Sequence, residues 1–419
     1  MPKLAWTSAQ VTSENRGDAQ FKMPMPQDSL PANRDKPFLL VDGDGLSRLQ
    51  CQIGLIPARG AGLKRRALVY ALVAWLPLAI ASWLAGSPAV HDGSMTETLL
   101  GHYGIHIRCL VAIPLLVLAE GIAQKNLALC LLEFKRSGLV DEALAPRFDA
   151  VIDGVVRLKK RAYPWVIIGT LAAAWTAVFL ISPNPDEVQW AGPRSGGLGF
   201  GAWWFLLVSR PIFAVLLLAW VWRLALVGVL LLRIARLPLK LVVMHPDRMG
   251  GLGFLDRLPM VYAPFLFSVS AVVAGAWAHT VFYHGVTVPS LYLQVATLLL
   301  LLILTGMAPL LVFSGMMAGA KRQALLDYGV LLAEHGRLVD ARWIRKEQIA
   351  ENPMLDAPEL GPVADIQAMY QAVAAMRPAV ISKSILFKIA LPAALPLLVL
   401  VATQWPVKST LSKLLFTLL

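Results

Sequence analysis

Charge is what this chain has least of. Charged residues make up 15% of its 419 residues against 57% hydrophobic, and the mean hydropathy is +0.63. A water-soluble domain is roughly a quarter charged, so there is too little polar surface here to clothe a soluble fold. Cysteine is nearly absent. Cys51, Cys109 and Cys130 show neither CxxC nor zinc-type spacing, which leaves no disulfide framework and reads as core filler. The first 35 residues contain no apolar run and are rich in Pro, Asn, Asp and Gln. They read as a disordered tail and not as a cleaved signal. Also missing are a Gly-Lys-Ser/Thr phosphate loop, paired carboxylates and a Ser/His/Asp set, so the chain leans away from being an enzyme.

What is present is apolar length. A hydrocarbon core about 30 Å thick takes roughly 20 helical residues to cross. Seven stretches qualify: Ala67–Gly86, Ile105–Ala123, Pro164–Ser182, Trp203–Leu231, Pro259–Tyr283, Ser290–Met317 and Ile385–Trp405. The expected fold class is all-α, a polytopic transmembrane helical bundle of about seven spans with a small cytoplasmic helical insertion. Pro392 and Pro396 leave a second path open for the last stretch, a re-entrant hairpin. The layout is a tail at 1–35, an interfacial helix within 36–66, a six-span bundle at 67–317, a helical hairpin at 318–384, and a last span with an amphipathic tail at 385–419.

Basic residues fix the orientation. Alternate compartments between these stretches hold 31 Lys and Arg against three, so the N-terminus is expected in the cytoplasm of a bacterial inner membrane. The net charge of +12 belongs to these flanks, and no nucleic-acid partner is implied.

Ionisable groups within spans are costly and come first as site candidates. Arg108 and Glu120 share the second stretch, and Arg210 and Arg223 the fourth. Arg108 and Glu120 are twelve residues apart, about 18 Å along a helix, so their partners lie elsewhere. Glu120 and Arg210 read more naturally as snorkelling side chains. Arg223 is too far from either end of its stretch for that and is expected to face the interior. Arg108 and Arg223 facing inward would make a cationic pathway suited to a small anion.

Five of the seven histidines map to the opposite side from the basic flanks. His102 and His106, four apart, share a helical face and with His279 or His284 offer a weak transition-metal site; otherwise no cofactor is expected. The densest motif is His245-Pro246-Asp247-Arg248-Met249-Gly250-Gly251-Leu252-Gly253-Phe254-Leu255. Its glycines let backbone amides converge on an anion. Two readings stay open: a tight loop capped by Asp247, or a cytoplasmic site of His245, Asp247, Arg248, Gly250, Gly251 and Gly253.

Four segments resemble an uncharacterised family of bacterial polytopic membrane proteins: RLQCQIGLI (48–56), HIRCLVAIPLLVLAE (106–120), HPDRMGGLGFL (245–255), and ADIQ (364–367) with MRP (376–378). The resemblance implies a multi-spanning protein with the His-Pro-Asp–glycine loop on the cytoplasmic side. The family has no assigned activity to transfer.

Three function classes follow. The first is a channel or transporter for a small anion, resting on the buried arginines and on proline-interrupted spans at Pro114, Pro211 and Pro309. The second is a membrane scaffold or signal-relay subunit that docks a cytoplasmic protein, or a second copy, through its cytoplasmic helices. The third is a lipid-acting enzyme using His245 and Asp247.

Overall fold

The structure is a computed structural model that describes residues 50–51, 54, 62–84, 99–182, 188, 190, 199–347 and 361–403. The N-terminal tail, most of the interfacial helix and the C-terminal tail expected above lie outside these residues. Among the described residues there is no strand.

Among the described residues there are ten main helices. They are α1 (Leu63–Leu84), α2 (Tyr103–Arg136), α3 (Ala145–Lys159), α4 (Tyr163–Ile181), α5 (Phe200–Ala235), α6 (Pro259–Tyr283), α7 (Tyr292–Leu311), α8 (Ser314–Val339), α9 (Gly361–Ala375) and α10 (Lys383–Thr403). Seven of them, all but α3, α8 and α9, are long and apolar enough to cross a bilayer. The chain is a multi-pass membrane protein, and side chains such as Trp83, Ile181 and Leu293 on its outer faces are the lipid contact. With no water in hydrocarbon, only a structure that satisfies its backbone internally can span, and helices do so within one segment.

Two features depart from the expected spans. The re-entrant alternative for the last stretch fails, because α10 runs unbroken through Pro392 and Pro396 for 21 residues. Helix α6, which packs on α2 and α10, supports it: Ser270 Oγ donates to the carbonyl of Ala393, the residue after Pro392 and one turn before Pro396, at 2.5 Å. The second departure is the wide turn that opens each of two spans. Residues Ile107–Ala112 of α2 and Phe205–Ser209 of α5 are π-helical, and each π-turn is followed closely by a proline, Pro114 or Pro211. A proline ring collides with the carbonyl four residues back and leaves it without a donor. Those carbonyls belong to Leu110 and Leu207, inside the two π segments, and the widened turn absorbs the misfit. Pro309 lies in α7 itself, two residues from its end.

At the lysine- and arginine-rich end, α8 continues beyond α7 and packs against α9. Lys321 Nζ donates to the Ala374 and Met376 carbonyls at 2.9 and 2.7 Å, capping the far end of α9.

Candidate functional site

Two layers of charge lie along α2 and α5. The layer nearer the basic end is an ion triad. Glu120 Oε2 is 2.8 Å from Arg66 Nη2 and its Oε1 is 2.9 Å from Arg223 Nη1. The three side chains are 1%, 1% and 2% exposed, so the carboxylate joins α1, α2 and α5 in a dry contact. Trp220 braces it: its indole donates to the Leu116 carbonyl at 2.8 Å, one turn from Glu120, and the Arg223 guanidinium lies 5.6 Å from its ring centroid. One turn along α1 from Arg66, Tyr70 accepts a hydrogen bond from Gln50 Nε2 at 2.7 Å.

Glu120 therefore does not snorkel. Two guanidiniums at hand spare its buried carboxylate from being an unpaired charge in the membrane interior. Arg223 faces the interior as its position demanded, but it meets a carboxylate there, so this layer is a mixed-charge cluster. Arg66 was not legible as a member. It ends the run Lys64-Arg65-Arg66, which reads as a solvated flank, while the helix begins early enough to turn its last arginine inward.

The second layer lies toward the histidine-bearing end. Arg108, on the π-turn of α2, and Arg210, just past the π-turn of α5, line one cavity of about 40 Å³ with Trp175, Thr176, Phe179 and Phe213. Arg210 lies over the Phe179 ring, 3.4 Å from its centroid, and Arg108 sits 5.6 Å from Phe205 and 5.7 Å from Phe213. Aromatic faces attract a guanidinium. Arg210, half-buried, thus lies along an aromatic wall.

The histidines divide. His102 stacks on His279 at 4.9 Å between centroids, and His279 meets His284 at 5.4 Å. His106 turns away: its Nδ1 accepts from Trp75 Nε1 at 2.9 Å and its Nε2 lies 2.9 Å from the Leu99 carbonyl. Both ring nitrogens are engaged, so His106 offers no lone pair to a metal. His102 does not share a helical face with His106, because it precedes the helix, with φ −92° and ψ 69°. No group of three His, Cys, Asp or Glu able to hold a metal ion occurs among the described residues.

The His-Pro-Asp–glycine loop closes on itself. Met249 and Gly251 donate their amides to Asp247 Oδ1 at 2.7 and 3.3 Å, Gly253 donates to Oδ2 at 2.8 Å, and His245 Nδ1 lies 2.9 Å from Oδ1. The amides do converge on an anion, and the anion is Asp247. Burial pushes its carboxyl up, but the three amides and His245 outweigh that and hold it below the usual carboxylate range. Arg248, Gly250 and Gly251 take φ of 57°, 67° and 91°, the left-handed turn this wrap requires. The loop is also a dock. Arg377 donates its amide to the Arg248 carbonyl at 2.8 Å, and Met376 packs over Gly250. Asp256, just beyond, pairs with Lys388 of α10. Beside the loop, Lys240 pairs with Asp141 at 2.8 Å, and that contact, with the Leu144 amide, lowers the Asp141 carboxyl.

No protein-family model, curated protein or solved structure matches this chain. The family resemblance stands on its quoted segments alone, two of which, 245–255 and 376–378, meet in space at this dock.

Proposed function

We propose that the protein is a transporter for a small anion in a bacterial inner membrane, with the basic end and N-terminus in the cytoplasm. The observation that carries the reading is the convergence of Arg108 and Arg210, from two spans with matching π-turns, on one cavity. A volume near 40 Å³ has room for an unhydrated small anion or a water or two. Two guanidiniums in low-dielectric surroundings favour the anion. The triad lies further along the same two helices and supplies a second set of cations, held by Glu120.

The test is anion flux in proteoliposomes. Arg108→Leu and Arg210→Leu are each expected to cut flux at least about tenfold, and lysine at either position to retain most of it. Flux that is unchanged in both leucine variants removes the cavity from the mechanism.

A specific observation favours a second reading, a scaffold. Leu326 and Val330 on α8 and Trp343 and Ile344 just past it are 61%, 63%, 57% and 73% exposed, beyond any membrane span. Changing all four to serine is expected to leave flux intact under the transport reading and to release a co-purifying protein under the scaffold reading.

A further inference from the structure

Helix α3 joins the basic ends of α2 and α4, and its own last turn leads through Lys160 and Arg161 into the first turn of α4. Its apolar face is buried through Phe148 and Val155, while Arg157 is exposed. Arg233, exposed in the last turn of span α5, reaches across to the same helix. The two side chains converge at Gly154, where a Cβ would lie 3.0 Å from Arg233 Nη1 and 3.9 Å from Arg157 Nη2. A side chain there would fill the space in which the guanidiniums approach each other.

Two like charges brought together need a reason. Neither arginine forms an ion pair among the described residues. Asp149 on α3 is taken by Lys135, and Asp153, one turn before Arg157, forms no ion pair among the described residues. Lys160, Arg161 and Arg236, all exposed, add to the positive field, and Tyr163 and Trp165 begin α4 beside them. Aromatic rings and cations at the end of a span mark the headgroup level of a bilayer.

We propose that Arg157 and Arg233 clamp the phosphate of an anionic phospholipid over Gly154. The lipid supplies the negative charge that neither arginine finds among the described residues. Two forked donors match phosphate geometry, and basic pockets between spans recognise acidic headgroups in this way. The site is separate from the Arg108–Arg210 cavity and does not depend on transport.

The experiment is a lipid titration of the full chain in detergent, read by native mass spectrometry with phosphatidylglycerol, phosphatidylcholine and inorganic phosphate as probes. Phosphatidylglycerol is expected to bind the parent protein more tightly than phosphatidylcholine. Arg157→Ala with Arg233→Ala should weaken phosphatidylglycerol about 25-fold, near fivefold per arginine, and leave phosphatidylcholine unchanged. Gly154→Leu should weaken it as well with no charge removed. Equal phosphatidylglycerol binding by parent and double variant overturns the proposal, as does inorganic phosphate that displaces the lipid at equal concentration. Matching thermal stability of parent and variants in phosphatidylcholine shows that the loss is not one of folding.

Discussion

Replacing Glu120 with alanine is expected to destabilise the membrane domain by about 3–5 kcal/mol, the usual cost of breaking a buried pair from one side. The carboxylate holds two guanidiniums that are 1% and 2% exposed, and its removal leaves both charges in a dry, apolar setting. Detergent-solubilised Glu120→Ala should unfold at a clearly lower temperature than the parent, with a much reduced folded yield. The partner experiment removes all three charges at once: Arg66→Met, Glu120→Leu and Arg223→Met. Apolar side chains of similar volume avoid the desolvation that the triad suffers, so this variant should recover the folded yield. Flux through the triple variant then separates two roles. Folded protein without flux assigns the triad to the pathway, and folded protein with flux makes it a structural tie. A Glu120→Ala variant as stable as the parent would mean that the triad is not formed.

The triad also shows where sequence reading stops. Span number and class were legible because both follow from apolar length, which hydrocarbon selects directly. Pro259–Tyr283 is a helix with those bounds. The need for Arg223 to face inward was legible for the same reason, since its distance from either interface is a property of one helix. Its partner was not, because pairing depends on which helices are neighbours and how each is rotated. Nothing in the run Lys64-Arg65-Arg66 tells the third residue from the first two; only the packing of α1 against α2 does. The π-turns were half legible: Pro114 and Pro211 announced a broken helix but not the form of the break. His102 and His106 have the spacing of one helical face, but the helix begins at Tyr103, one residue after His102. In the glycine loop the chemistry of converging amides was readable, and the identity of the anion was written in the motif's own third residue, the aspartate that caps it.

That aspartate sets the last expectation. Asp247→Ala removes the acceptor of three amides, and loss of charge-assisted hydrogen bonds of this kind costs about 2–3 kcal/mol. Amide exchange at residues 249, 251 and 253 should accelerate roughly 30- to 150-fold. Asp247→Asn should fall between, since one amide oxygen can still serve Met249 and Gly251 or Gly253 but not both sides. The pH dependence has a definite sign. A carboxyl held below its ordinary value stabilises the loop fully above the usual carboxylate range, near 3.9, and that stabilisation is lost as pH falls through the lowered value. After correction for intrinsic exchange rates, protection in the parent should be level from about pH 7 to 5 and drop at the acid end. In Asp247→Asn it should show no such drop, and an identical acid loss in both would place the titrating group elsewhere. Because Arg377 hangs on the Arg248 carbonyl, an opened loop also frees one attachment of the α8–α9 hairpin. Exchange at Arg377 should therefore rise together with that of the loop, which ties the hairpin's docking to a single carboxylate at the mouth of α6.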